Sequence, residues 1–302
     1  MLTQEKPTGL LTYAALVAER ERRWNMRPDL KLYGEGGPLW FIEKVGVAVP
    51  FSAPDLVLPS LWWALLGQRR QMHDARHDWA AGKVWNLKDT LPAERKVWYG
   101  KLVKSKPAFI SLSLLPAFYA LSPNYGELDD YLEQYKDGLL SDDARRVYEA
   151  VLAQGPASTT VLRKAVAMQK GDAAARFDRA IASLTSQFKI MQVGTAADNR
   201  WKYCFVYDAV PRHLPEQVQA ARQYTASSAM QQIISTYLPH AVAVPRGYLP
   251  KLFGWDSAPF ERAVDNLLAA NLLHETQVPG GEAEGKQRKG EVASWLAWSG
   301  AA

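Results

Sequence analysis

The chain has 302 residues, 48% of them hydrophobic and 22% charged, with a formal net charge of +5 and an isoelectric point near 9.1. The length fits two or three domains, the composition excludes a disordered chain, and no apolar run approaches the roughly 18–20 residues of a membrane span. One cysteine, Cys204, excludes a disulfide framework and a cysteine-based zinc cluster, and an N-terminus without the layout of a secretion signal leads to the expectation of a cytoplasmic protein.

In chain order, the hydrophobic period predicts a helix over 10–24, with Leu10, Tyr13, Ala14 and Val17 on one face. A glycine loop at 34–38 follows, then a buried helix running towards a strand over 39–49, then a stretch broken by Pro50, Pro54 and Pro59. Leu58-Pro59-Ser60 opens a helix to Leu66. Residues 71–82 and 91–102 read as helical, the second with Pro92 in its first turn. A short apolar segment at 112–121 precedes an acidic surface helix over 127–137. Ser141-Asp142-Asp143 then caps a helix with Ala144, Val147, Tyr148, Val151 and Leu152 inward. Gly155-Pro156 stops it, Ser158 or Thr159 starts a second helix, and Gly171-Asp172 starts a third, with Phe177, Ile181 and Leu184 inward. Strands at 189–193 and 201–207 follow. This is the order of a winged helix-turn-helix. After a linker with a helix over 215–224, the plan recurs. Helices span 226–238, 245–253 and one from the Ser257-Ala258-Pro259 cap, with Phe260, Val264, Leu267 and Leu268 inward. Strands at 272–277 and 292–298 flank a glycine-rich wing. The fold class is mostly α with short β-hairpins, an α+β chain of tandem winged helices. The expected divisions are 1–138, 139–208, a linker at 209–225, and 226–302.

Charge and tryptophan share one address. Residues 1–106 hold 17 Lys and Arg against 11 Asp and Glu, the rest 19 against 20, and the same first third holds seven of the 11 tryptophans. A basic, aromatic-rich surface suits base stacking or strand gripping. The plainer alternative is that most of these rings are core, since each buries a large area.

The third helix of a winged helix can enter the major groove, and its wing can reach the backbone. The candidate nucleic-acid contacts are therefore Lys170, Arg176 and Arg179 in one unit, and Arg262 with the wing residues Lys286, Arg288 and Lys289 in the other. Asp178, Glu261 and Asp265 interrupt both helices, so protein-binding or structural roles compete. Arg69, Arg70 and Arg76 form a further basic stretch. Beside them His73 and His77 have the i, i+4 spacing of a metal pair, but Asp74 stands where a metalloprotease needs glutamate and no third ligand appears. No metal or cofactor is expected. There is no phosphate loop or serine nucleophile elbow, and Cys204 falls within a strand. Glu43 and Asp55 are carboxylates able to stabilise cationic character in a reacting sugar, with ordinary capping or ion pairing as the alternative.

The segment Phe41 to Val49, the two winged-helix units and the region Gly247 to Trp255 resemble the AlkZ/YcaQ family of winged-helix DNA glycosylases. The resemblance implies three winged-helix units in a C-shaped arrangement whose concave surface binds DNA. It also implies metal-free hydrolysis of the N-glycosidic bond of alkylated or crosslinked bases. In that family a glutamine-apolar-glutamine or glutamine-apolar-aspartate motif soon after a Val-Gly pair positions water and supports the developing positive charge. Counted from Val45-Gly46, it falls here on Val49-Pro50-Phe51, and neither valine nor phenylalanine can orient or deprotonate water. Glu43, Asp55 and Gln68 are the nearby substitutes. The leading expectation is a nucleoid-associated DNA-binding protein, monomeric, acting on double-stranded DNA, damaged or not, with no membrane partner. The alternatives are an active glycosylase and a transcription regulator.

Overall fold

The computed structural model describes residues 11–53, 55–75, 78–103, 106–281 and 294–299. After α1 (Tyr13–Arg23), the order helix, strand, helix, helix, strand, strand occurs three times. The first repeat is α2 (Gly37–Val45), β1 (Val47–Ala48), α3 (Leu61–Leu66), α4 (Trp79–Ala93), β2 (Val97–Val103) and β3 (Lys106–Ser111), with a 3-10 turn at Met72–Ala75 before α4. α5 (Leu115–Ala120) and α6 (Asp130–Lys136) lead to the second repeat: α7 (Asp142–Gln154), β4 (Ala157–Ser158), α8 (Thr159–Ala165), α9 (Gly171–Ser186), β5 (Ile190–Ala196) and β6 (Cys204–Ala209). α10 (Val210–His213) and α11 (Pro215–Ala221) connect to the third: α12 (Ala226–Ala241), β7 (Ala243–Pro245), α13 (Tyr248–Phe253), α14 (Ser257–Ala269), β8 (Leu273–Thr276) and β9 (Trp295–Trp298). Each repeat closes a three-stranded antiparallel sheet in the orders β1-β3-β2, β4-β6-β5 and β7-β9-β8. The short strand after the first helix pairs with the last strand, not with its neighbour in sequence.

Side-chain caps set where many of these helices begin. Thr12, Ser60, Asp78, Ser141 and Ser158 each accept a backbone N–H from the first turn of the following helix. Thr225 and Ser228 form a reciprocal capping box on α12. Each such cap contributes about 1 kcal/mol. The second repeat has its own apolar core around Val147, Tyr148, Phe177 and Leu184. The first and third repeats instead share one continuous core, which holds Phe41, Trp62, Trp98 and Phe109 together with Ile233, Tyr237 and Phe260. Arg20 of α1, 2% exposed, ties itself to this assembly by donating to the carbonyls of Ala241 at 2.9 Å and Ala243 at 2.6 Å.

Four expectations need correction. Residues 91–102 are not one helix. Pro92 lies in the last turn of α4, Arg95 turns the chain at φ 55°, and Val97-Trp98-Tyr99 enters β2, as a β-branched and aromatic run paired to β3 does. Helix α4 begins at Trp79, not within 71–78, because Asp78 caps it. The strand expected from Trp201 starts at Cys204: Asn199 Oδ1 accepts the backbone N–H groups of Trp201 and Tyr203, both at 3.0 Å, and holds that stretch as a turn. The N-caps of α9 and α14 are Lys170 and Asp256, and neither makes a side-chain cap bond.

Candidate nucleic-acid interface

The loop between β1 and α3 carries the triplet Val49-Pro50-Phe51, and its own backbone holds it rigid. Val49 N–H donates to Pro59 at 2.9 Å, Leu61 N–H donates to Val49 at 2.9 Å, and Trp62 N–H donates to Pro50 at 3.1 Å. Further along, the third repeat grips both polar groups of one peptide residue. Tyr248 Oη accepts from Val57 N–H at 2.6 Å, and Tyr237 donates to the Val57 carbonyl. Val49 is buried, 2% exposed, and is core. Phe51 is half-buried, and its ring lies 6.1 Å from that of Trp62 and 5.6 Å from that of Trp85. The two outer positions of the triplet thus offer an apolar core contact and an aromatic face, with no polar side chain for water.

The first repeat keeps several indoles in solvent, Trp85 beside Phe51 among them. Trp79 is 62% exposed and Trp85 56% exposed, both on α4, while Trp24, Trp62, Trp63 and Trp98 are buried. Trp40 on α2 is 54% exposed. Cations accompany several of these rings: Lys88 Nζ lies 4.7 Å from the Trp85 centroid and Lys44 Nζ 5.0 Å from that of Trp40. The β5–β6 turn repeats the pattern with Arg200-Trp201-Lys202 at its tip. Trp201 is 78% exposed, with the Arg200 guanidinium 5.4 Å from its centroid. Lys44 also donates to the Arg23 carbonyl and to Asn25, and burial beside Arg22 and Arg23 lowers its pKa.

Asp78 organises this corner. It caps α4 through Ala80 N–H at 2.7 Å and Ala81 N–H at 3.4 Å, and it accepts the indole N–H of fully buried Trp62 at 3.2 Å. Asp78→Ala removes a cap and strands a buried donor, and is expected to cost about 2–3 kcal/mol in urea denaturation. Asp78→Asn keeps only one acceptor oxygen, which serves either the cap on Oδ1 or the indole on Oδ2, and is expected to cost about 1–2 kcal/mol, less than the alanine variant.

The carboxylate candidates lie at opposite ends of β3. Glu43 accepts from Ser113 Oγ at 2.9 Å, just beyond the Ser111 end, while Asp55 stands 3.6 Å from Lys106 Nζ at the other end and is 85% exposed. Five residue steps of strand separate those ends, roughly 17 Å, so the two carboxyls do not share a site. Gln68 is exposed just after α3.

Among the basic candidates, Arg69 pairs with Glu21 at 2.9 Å and lies over Trp63 at 5.6 Å. Arg70 is exposed, and its carbonyl accepts from Trp63 Nε1 at 2.9 Å. Lys170 and Arg179 are exposed, and Arg176 pairs with Asp143 at 3.1 Å. Arg262 is exposed beside an open depression shared with Ser227, Ser228 and Asn266. Arg76, Lys286, Arg288 and Lys289, like His77, lie outside the described residues. Helix α9 also packs on β2 of the first repeat, so part of the face expected to read a groove is covered by protein.

One constellation was not visible in the sequence. Lys88, 3% exposed, donates to Asp89 Oδ1 at 2.8 Å and to Tyr203 Oη at 2.5 Å, and Gln192 Nε2 donates to the same carboxylate oxygen at 2.9 Å. A lysine this buried needs such pairing. The network joins α4 to β5 and to Tyr203 just before β6, so it ties the first repeat to the second. Its members are scattered over a hundred residues and carry no local motif. Cys204 is buried and donates to Asp198 at 2.8 Å. Burial first, then that carboxylate, raises its pKa, which disfavours the nucleophilic thiolate. Among the described residues no group of three or more His, Cys, Asp or Glu could hold a metal ion, and no helix is long and apolar enough to cross a membrane.

No curated protein matches this sequence. Among solved structures, the chain is similar to a Streptomyces sahachiroi DNA glycosylase, AlkZ. The two share 10% sequence identity and a TM-score of 0.55, over 96% of this chain and 71% of that one. The likeness shows a common fold: helices with small antiparallel sheets. The family model described as AlkZ related matches residues 39–254, from the loop-bearing first repeat into α13, and with well over half of its length covered the chain belongs to the AlkZ-related family.

Proposed function

We propose that the protein binds double-stranded DNA through three winged-helix units, within residues 1–138, 139–208 and 226–302, and does not excise bases with the family's usual polar pair. The observation that carries the reading is the set of solvent-exposed indoles that sit beside cations: Trp40 with Lys44, Trp85 with Lys88, and Trp201 with Arg200. Leaving such rings in water forgoes a large burial, whereas nucleic acid offers bases to stack on and a phosphate for exposed Arg200, while Lys88 and Lys44 stay bound to Asp89 and to Asn25 beneath their rings. The threefold recurrence of helix, strand, helix, helix and hairpin supports the winged-helix assignment. Trp201 occupies the tip of the second unit's wing, where an aromatic side chain can wedge against a base step.

Val49 in the core and Phe51 between two indoles support the absence of the usual chemistry, because neither can hold a water for attack on a sugar carbon. The separation of Glu43 from Asp55 supports it further. The test is one methylated duplex examined in two assays. Binding is expected to fall by about a thousandfold or more between 50 and 200 mM salt if six or more phosphates are contacted, with no free base released. Absent or salt-insensitive binding overturns the DNA-binding reading. Base release that disappears in Glu43→Ala or Asp55→Ala overturns the non-enzymatic one. Trp201→Ala is expected to weaken binding by about tenfold, one stacking contact, in the same gel shift.

A further inference from the structure

We infer that a cavity between the first and second repeats binds a flat heteroaromatic ring with a hydrogen-bonding edge, the size of a nucleobase. The cavity encloses about 320 Å³, at the small end of ligand sites. Its walls are aromatic and come from both repeats: Tyr99 on β2, Phe177 on α9, and Phe205 and Tyr207 on β6. It is not slack between loosely docked parts. Gly100 lines it, and a Cβ there would lie 2.4 Å from Thr185 Cγ2 and 2.8 Å from the Trp98 ring. Strand and helix therefore meet at closest approach beside the opening.

Besides the exposed Lys101 at its edge, the polar residues lining this space divide into two kinds. Some are already used: Thr159 donates to the Phe205 carbonyl at 2.9 Å, Thr185 to the Ile181 carbonyl at 2.7 Å, and Asp178 is held by Arg163 at 2.5 Å. Others are not. The phenols of Tyr99 and Tyr207 have no hydrogen-bond partner among the described residues, and burial raises the pKa of both, which keeps them neutral. Gln192 gives its amide N–H to Asp89 at 2.9 Å, which leaves its carbonyl oxygen as an acceptor.

Two unpaired hydroxyls and one free amide oxygen on residues lining an aromatic box, with a single cation, Lys101, also in its lining, define the occupant. An aliphatic ligand would leave the hydroxyls unmatched, and an ion would be stripped of water against ring faces. A planar ring with donors and acceptors on its edge meets both requirements. The site borders exposed Trp85 through Lys88, whose Nζ lies 4.9 Å from the Phe205 ring and 4.7 Å from the Trp85 ring, but the inference does not rest on DNA binding.

The test titrates adenine, cytosine and guanosine into the full-length protein by isothermal calorimetry, with indole as an apolar ring of similar size. At least one of the three is expected to bind saturably at one site per chain and more tightly than indole. Tyr99→Phe with Tyr207→Phe, which removes two oxygens and nothing else, is expected to weaken that binding by about tenfold. Ala182→Trp, which fills the space, is expected to abolish it. Failure of all three to saturate overturns the inference, as does binding of indole with equal affinity or binding unchanged in the double phenylalanine variant. If Ala182→Trp does not fold, the double variant alone decides.

Discussion

Gly46→Ala is expected to destabilise the protein by about 3 kcal/mol or more, a lower urea midpoint with an unchanged slope. Gly46 ends α2 at φ 74°, ψ −44° and turns the chain into β1. Its N–H donates to Ile42 and its carbonyl accepts from Ser111, both at 2.9 Å, so the backbone cannot swing away to relieve a side chain. That conformation lies outside the small left-handed region open to ordinary residues. A Cβ would also stand 2.7 Å from Leu114 Cδ2 and 2.7 Å from Thr236 Cγ2. Thr236 precedes Tyr237, which holds the Val57 carbonyl in the β1–α3 loop. The substitution therefore pushes on the seam between the first and third repeats.

Gly82→Ala supplies the contrast within the same repeat. Gly82 lies inside α4, exposed, and a Cβ there meets nothing within 4 Å. The same chemical change is expected to raise stability by about 0.5–1 kcal/mol. A Gly46→Ala variant within 0.5 kcal/mol of the parent, roughly the scatter of surface changes, would mean that the repeats do not meet as described.

These two glycines show what the sequence revealed and what it hid. The α2–β1 joint was legible because the apolar run over 39–49 is too short and too β-branched at its end to continue as helix. The second repeat was the most legible, because Ser141 and Ser158 announce their helices and Phe177 and Leu184 repeat at helical spacing in α9. In the first repeat Val97-Trp98-Tyr99 reads as helix in the sequence because a short apolar run is ambiguous without its partner strand. The partner, β3, is recognisable only once paired.

The candidate site was less legible. Which tryptophans face water depends on tertiary packing: Trp62 and Trp63 are both buried on the six-residue α3, whereas Trp79 and Trp85 on α4 are exposed. The Lys88–Asp89–Tyr203–Gln192 network and the aromatic cavity each need residues from two repeats, and no local pattern encodes a contact across a hundred residues. Two basic stretches did locate surface cations, Arg69-Arg70 and Lys170 with Arg176 and Arg179. Ion pairing of Arg69 with Glu21 and of Arg176 with Asp143 leaves those two less available to phosphate than their sequence implies.

The acid limb of the stability curve is expected to report His240, near the C-terminal end of α12. Burial first, then the cations Lys44 and Arg23, lowers its pKa from 6.5 to about 4. It is therefore neutral in the folded protein at pH 7. In the unfolded chain it takes up a proton near pH 6.5, so between pH 6.5 and 4 the unfolded state binds more protons and stability falls as pH falls. The contribution is fully present above pH 6.5 and lost by about pH 4, roughly 2–3 kcal/mol after allowance for partial solvent access. Glu19, lowered to about 2 by its bonds to Arg22 and Arg23, loses its contribution between about pH 4.5 and 2, so the two windows separate. Protonating His240 adds a fourth positive charge beside Lys44, where Arg23 donates to the Pro239 carbonyl and Arg20 to those of Ala241 and Ala243, so α1 is the element expected to loosen first. Urea midpoints at pH 7, 5.5 and 4.5 for the parent and His240→Gln test this. The parent is expected to lose about 2 kcal/mol more than the variant across that range, and parallel curves would show that His240 does not titrate in this window.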